Sequence, residues 1–370
     1  MTAALAPSVR RLLLAALAVQ SLVCATPSAS AADSPAPYDR RPETRAFIDM
    51  LASEDGFDRG ELVQLFAQAR YLSKVVAAMS RPVLAPPKWY EYAPQFLNPE
   101  RIDAGLDFWR ANAATLDRAQ AEFGIPPEVI VAIIGVETYY GRQLGGYRVF
   151  DALTTLAFDY PRRGDFFRAE LEQFLLLTRA AGVSPLAPIG SYAGASGLPQ
   201  FMPGSMRAYA LDYDHDGRID LSGDAADAIG SVANFLARHD WQPGGPVLVP
   251  ARVDPAAADI VARTADGGIG ERRPLTAWAR DGVAAALPAH PGSDPVGLLM
   301  LEEADGPSYW LTFGNWYVLT RYNRSRLYAT AVWQLAQALG TARATAARLE
   351  SGSDLQAQPP PPAARANAGD

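Results

Sequence analysis

Apolar positions recur at helical spacing from Glu43 to about Ala181, as in "RAFIDMLASEDGF" and "ELVQLFAQARYLSKVVAAM". That spacing predicts amphipathic helices, with no strand-like alternation of any length. A second helical stretch, "AADAIGSVANFLARHDW", follows Asp224. From Gly244 to about Tyr322 the texture changes to short β-branched and aromatic runs separated by Gly and Pro: "GGPVLVPARV", "VGLLMLEE" and "YWLTFGNWYVLTRY". These read as strands. The chain then closes with a helix, "SRLYATAVWQLAQAL", expected at 323–345 and capped by Asn323 or Ser325. The pattern predicts a mainly α (α+β) protein. A helical region spans 43–243, a small β-containing region 244–322, and the last helix packs back on the first region.

The two ends read differently. Arg10 and Arg11 precede the apolar run Leu12 to Val23, and "ASAAD" (29–33) supplies a small-residue cleavage pattern. Residues 1–31 are therefore expected to be a secretory signal peptide, too short to span a bilayer as an anchor. The one cysteine, Cys24, lies in this segment, and its "SLVC" context does not fit a lipid-attachment site. The mature chain is then expected to carry no thiol, no disulfide, no cysteine metal site and no transmembrane segment. Residues 32–42 read as a flexible leader and 346–370, ending in "QAQPPPPAARANAGD", as a disordered Pro-rich tail. Loss of Arg10 and Arg11 moves the formal charge from -7 to -9, which opposes a nucleic-acid partner. An exported protein, free of the membrane, is the expectation.

Three stretches carry candidate chemistry. In "VIVAIIGVETYYG" (129–141) Glu137 follows eight residues without a charge, in a segment apolar on nearly every face. Pro126 and Pro127 suit the start of this helix, and Gly141 offers a left-handed stop. Burial and the helix C-terminus both disfavour the charged carboxylate, as a general acid requires. The competing reading is a Glu that emerges to solvent or pairs with Arg142. The uncharged stretch "GSYAGASGLPQFMPGS" (190–205) offers Ser191, Tyr192, Gln200 and Phe201 among glycines, which suits a neutral, hydroxyl-rich ligand or an ordinary tight loop. In "DYDHDGRIDLSGD" the acids Asp212, Asp214, Asp216 and Asp220 fall at positions 1, 3, 5 and 9 of an EF-hand-like loop, with the Arg218 carbonyl at 7. Hard oxygen donors at that spacing predict a structural calcium ion, against a solvated acidic turn. Gly223 occupies position 12, so Asp224 is either a displaced ligand or the N-cap of the next helix. His215, His239 and His290 show no metal spacing.

Taken together, "GVETYYG", "LTTLAFDYPRRGDFF", "GSYAGASGLPQFMPGS", the aspartate loop followed by "DAIGSVANFL", and "RYNRSRLYATAVWQL" closely resemble the membrane-bound lytic murein transglycosylase B family from about Glu43 to Gly340. The resemblance implies a lysozyme-like catalytic domain with an EF-hand-like calcium loop, 212–224, acting on peptidoglycan glycan strands in the periplasm. It implies non-hydrolytic cleavage of the β-1,4 bond between N-acetylmuramic acid and N-acetylglucosamine, leaving a 1,6-anhydro end. It assigns Glu137 as the single acid and base. It also assigns Ser191, Gln200, Phe201, Tyr92, Tyr322 and Asn323 to the saccharide, Arg162 and Arg163 to stem-peptide carboxylates, and Asp212, Asp214, Asp216, Arg218, Asp220 and Asp224 to calcium. No organic cofactor is implied. The missing acid at loop position 12 and the missing lipoprotein cysteine depart from the family pattern. The Pro-rich tail is a candidate docking segment for cell-wall synthesis or division proteins.

Two alternatives stand beside this reading. A hydrolytic muramidase would need a second carboxylate, for which Asp159 or Asp165 is the candidate. A peptidoglycan-binding protein without turnover would need no working Glu137.

Overall fold

The computed structural model describes residues 36–81, 87–265, 269–287, 292 and 294–356; the expected signal peptide, Cys24, His290 and the tail from 357 onward lie outside them. A 3-10 turn at Tyr38–Arg40 leads into α1 (Pro42–Glu54), α2 (Arg59–Phe66) and α3 (Ser73–Ser80). Next come α4 (Trp89–Tyr92), α5 (Pro99–Ala111), α6 (Ala113–Phe123) and α7 (Pro127–Thr138). The two-residue strand β1 (Tyr147–Arg148) precedes α8 (Val149–Asp159) and α9 (Gly164–Ala180), and pairs antiparallel with β2 (Ile189–Gly190). Then follow α10 (Pro203–Tyr209) and α11 (Ala225–Arg238).

Helix boundaries follow local chemistry. Asp58 and Asn98 cap α2 and α5 by accepting from the Glu61 and Arg101 N–H groups, and Pro99 occupies the first turn of α5. Gly124, at φ +70°, stops α6 and lets the chain reverse into α7.

The remaining strands form one antiparallel sheet. It contains β3 (Leu248–Val253), β4 (Val283–Ala285), β5 (Gly297–Glu303) and β6 (Gly306–Thr312), in the order β4-β3-β6-β5. Two short helices, α12 (Ala258–Thr264) and α13 (Leu275–Arg280), lie between β3 and β4. The third predicted strand ends at Thr312, and its second half is α14 (Gly314–Tyr322). Asn315, Trp316, Leu319 and Thr320 are buried there at helical spacing, and the Asn315 side chain bonds the backbone of Gln242 and Gly245. Aromatic and β-branched composition had masked that period.

Three apolar cores result. The largest gathers Leu116, Ile130, Ile133, Val232, Trp316, Leu319 and Leu335 around α7. The second packs Tyr38, Phe47, Leu51, Phe66, Phe150, Leu153, Phe167 and Leu171 from α1, α2, α8 and α9. The third joins the sheet to α12 and α13 through Val261, Trp278, Val283, Leu298 and Leu311. The region expected as one body at 43–243 is thus built around two cores, because α8 and α9 return to the N-terminal helices.

Both expected ends shift. The leader is not loose from Tyr38 on: Tyr38 is buried, its hydroxyl donates to Asp159 at 2.6 Å, and Arg41 bonds both Asp159 oxygens at 2.9 and 3.0 Å. The last helix, α15, runs from Arg326 to Gln356, beyond the expected end at 345, and Ser325 caps it by accepting from the Tyr328 N–H. Its Ala, Arg and Leu content sustains helix after the core has ended. If Tyr38 anchors the second core, Tyr38→Ala lowers unfolding stability by about 3 kcal/mol in urea titration, whereas a loose leader would leave it unchanged.

Candidate active site

Glu137 sits in the last turn of α7, a helix with Val129 to Ile134 at zero exposure. Its Oε1 accepts a 2.6 Å hydrogen bond from the Tyr328 hydroxyl on α15. Burial pushes the carboxyl up from its ordinary value of 4.5 to about 7, and the Tyr328 bond, which favours the charged form, pulls the other way. Three phenols surround it. Burial and then the Glu137 charge raise the pKa values of Tyr92, Tyr322 and Tyr328, so all three stay protonated donors near neutrality. Tyr322 stacks on Tyr328 at 6.3 Å and 16°.

The uncharged loop is tied to this centre by two bonds and to α9 by a third. Tyr322 donates to the Pro199 carbonyl at 2.6 Å, Thr138 donates to the Leu198 carbonyl at 3.0 Å, and the Gly204 N–H donates to Glu170 on α9 at 2.8 Å. Gln200 adopts φ +49° and its amide donates to the Gly197 carbonyl at 2.9 Å. A non-glycine residue in that conformation costs about 1–2 kcal/mol, so the loop is held, not relaxed. Ser191 Oγ accepts from the Ala193 and Ala195 N–H groups, within its own turn.

The expected site residues divide accordingly. Glu137, Tyr92 and Tyr322 come together, and Gln200 is one residue beyond the Pro199 anchor. Asn323 follows Tyr322 directly, with its side chain exposed. Phe201 does not line a groove: it is 2% exposed and packs against Phe235 and Tyr322. Arg162 and Arg163 are exposed on the turn before α9, where Arg163 lies 4.1 Å over the Phe166 ring. The left-handed stop begins two residues before Gly141, at Tyr139 and Tyr140, with φ +51° and +58°. Tyr328 was not assigned to the site from the sequence, yet it is the residue that bonds Glu137; its position in "RSRLY", directly behind the Tyr322–Asn323 pair, was the available signal.

Neither candidate second carboxylate is available to Glu137. Asp159 is engaged by Arg41 and Tyr38, and Asp165 is exposed and paired with Arg168. Among the described residues, burial and one hydroxyl account for the perturbed acid.

The aspartate loop also resolves. Carboxylate oxygens of Asp212, Asp214 and Asp227 lie within 4.8 Å of one another. Asp224 is the N-cap of α11, its Oδ1 accepting from the Ala226 and Asp227 N–H groups at 2.6 and 3.2 Å. Asp216 accepts from the Arg218 N–H, and Asp220 from those of Ser222 and Gly223, so both fold into their own turns outside the cluster. Asp227, which the loop spacing did not single out, lies in the following helix, beyond any standard loop length; its buried carboxylate also accepts from the Tyr213 and Asp220 N–H groups. Three carboxylates and no nitrogen or sulfur donor fit a hard cation such as calcium.

A carboxyl with a folded pKa above its unfolded value makes the folded state bind more protons, so stability is lost as pH rises from about 4.5 through about 7. Glu137→Gln is therefore expected to equal the wild type in stability near pH 4 and to exceed it by on the order of 2 kcal/mol at pH 8. Denaturation midpoints across that range measure the difference; a constant offset would mean the acid is not perturbed.

Comparison with known proteins adds the context for this geometry. The transglycosylase SLT domain matches residues 39–337. The membrane-bound lytic murein transglycosylase B of Escherichia coli (strain K12) is 39% identical over 315 residues, 83% of this chain and 85% of that protein. The crystal structure of soluble lytic transglycosylase SltB1 from Pseudomonas aeruginosa superposes with a TM-score of 0.77 at 43% identity, covering 82% of this chain and 100% of the other. Escherichia coli lytic transglycosylase Slt35 in complex with calcium superposes with a TM-score of 0.76 at 40% identity, covering 82% and 95%. With the family match extending over most of the chain and the lysozyme-like architecture shared throughout, this chain belongs to the SLT-domain family and is a lytic murein transglycosylase.

Proposed function

We propose that Glu137 performs both proton transfers of the reaction. Protonated at rest, it gives its proton to the glycosidic oxygen between N-acetylmuramic acid and N-acetylglucosamine as the C1–O bond breaks. The resulting carboxylate then takes the proton of the C6 hydroxyl as that oxygen bonds C1 and closes the 1,6-anhydro ring. No water is consumed, and Glu137 ends protonated as it began. The observation that carries this reading is an acid raised by burial to about 7 against the pull of one phenol, with no carboxylate partner among the described residues. A two-carboxylate hydrolase would need such a partner. The sugar 2-acetamido group is the natural stabiliser of positive charge at C1.

Ser191, Gln200, Tyr92, Tyr322 and Asn323 are proposed to contact the saccharide, and Arg162 and Arg163 the stem-peptide carboxylates. Phe201 is reassigned to the wall behind Tyr322. Peptidoglycan as substrate supports a periplasmic location. No single helix among the described residues is long and apolar enough to cross a membrane.

Muropeptides released from purified sacculi test the mechanism. Products one water lighter than hydrolytic muropeptides, with Glu137→Gln releasing at least 100-fold less, are expected. Full-mass reducing products would transfer the case to a muramidase, and retained binding without release to a binding protein.

A calcium ion is proposed at Asp212, Asp214 and Asp227, where it would tie the aspartate loop to the first turn of α11 and take no part in the chemistry. Like charge crowds the cluster: although the Asp216 N–H pulls the Asp214 carboxyl down, desolvation and the charges of Asp216, Asp224 and Asp227 raise it overall, and a cation would relieve that repulsion. Millimolar calcium is expected to raise the thermal midpoint by a few degrees, and Asp214→Asn to remove most of that increase. A midpoint indifferent to calcium and to chelator would overturn the site.

A further inference from the structure

The backbone leaves α7 through three consecutive positive φ values: Tyr139 at +51°, Tyr140 at +58° and Gly141 at +87°. Two adjacent non-glycine residues in this region cost about 1–2 kcal/mol each, so the surroundings must hold them. One face of α5 does so. Tyr140 is wedged between Gly105 and Gly135, where a Cβ would fall 2.4 and 2.6 Å from its Oη, and its ring stacks on Phe108 at 5.7 Å. Arg101, one turn before Gly105, donates from Nη1 to the Gly135 carbonyl in the last turn of α7. The same guanidinium lies 4.4 Å over the Tyr139 ring and 5.3 Å over that of Phe96.

We propose that Arg101 is a positioning residue for the reaction: anchored on α5, it grips the final turn of α7 on one side of Glu137 and the Tyr139 ring on the other, and so sets where the acid projects. Gly135 and Tyr139 bracket Glu137 at two residues on either side, so both ends of the segment carrying the acid are fixed by one side chain. A planar guanidinium can donate in its plane to the carbonyl while its face lies on a ring. An ammonium can donate and sit over a ring as a point charge, but it has no planar face to stack. The action is placement, because burial and the Tyr328 hydroxyl set the proton affinity of Glu137, and Arg101 does not enter it. This inference rests on Glu137 being the reacting acid.

The test uses purified protein acting on soluble glycan strands, with Arg101→Met, Arg101→Lys, Tyr139→Leu and the double variant Arg101→Met/Tyr139→Leu. Arg101→Met is expected to lower kcat at least tenfold with KM within twofold, leaving the alkaline fall of the pH–rate profile where the wild type has it. Arg101→Lys is expected to recover only part of the rate. In the Tyr139→Leu background the further loss on Arg101→Met is expected to shrink to threefold or less. An unchanged kcat would overturn the proposal, as would a rate loss accompanied by a parallel rise in KM and fall in thermal midpoint. A displaced alkaline limb would also overturn it, replacing placement by charge. If Arg101→Met does not fold, Arg101→Lys and Tyr139→Leu carry the same criteria: wild-type kcat in both would refute the grip. The mass of wild-type products is scored separately, so a hydrolytic outcome would remove the ring-closing mechanism while the rate comparison still decides Arg101.

Discussion

A carboxyl held at the end of an apolar helix is the constraint around which the other parts are arranged. Helix α7 is packed on nearly every side, and its last turn delivers Glu137 where burial opposes ionisation. Left at that, the acid would give up its proton reluctantly. The Tyr328 hydroxyl supplies the counterweight, because a donor favours the carboxylate that forms after the proton has gone. Tyr328 comes from α15, so the helix that closes the largest core also completes the acid.

Around this pair the structure spends conformational freedom on rigidity. Gln200, Tyr139 and Tyr140 sit at positive φ, and each is fixed by contacts from another part of the chain. The Glu170 carboxylate joins the second core to the start of α10 through the Gly204 N–H, and desolvation raises its pKa, with that same N–H lowering it. The second core therefore braces the uncharged loop through this bond.

Glu137 could be read from the sequence because it violates a local rule: a charge terminating an apolar run needs a reason wherever the helix packs. The helical character of 43–181 and three of the four strands of the main sheet were legible from periodicity and Gly/Pro punctuation for the same local reason. Features that depend on distant partners were not. Tyr328 meets Glu137 across 191 positions, and Tyr322 meets Pro199 across 123. Asp227 serves its loop from inside the next helix, where spacing rules for loop ligands no longer apply. Phe201 shows the converse: an aromatic beside a ligand loop carried a groove role by resemblance, yet its neighbours Phe235 and Tyr322 enclose it.

How the acid is raised bears on which product forms. A neighbouring carboxylate would also push a pKa upward, since two like charges cannot both ionise cheaply. It would at the same time supply a nucleophile or a base for water, the second group of a hydrolase. Burial achieves the shift without adding that group. Here the two candidate second carboxylates are committed elsewhere: Asp159 fastens the chain entry through Tyr38 and Arg41, and Asp165 faces solvent beside Arg168. In the proposed mechanism, a site with one half-buried acid and protonated phenols leaves the C6 hydroxyl of the sugar, held in place by the rest of the strand, as the nucleophile with the higher effective concentration. On this argument the absence of a charged partner for Glu137 among the described residues does more to favour the proposed ring closure over hydrolysis than any single contact to the saccharide.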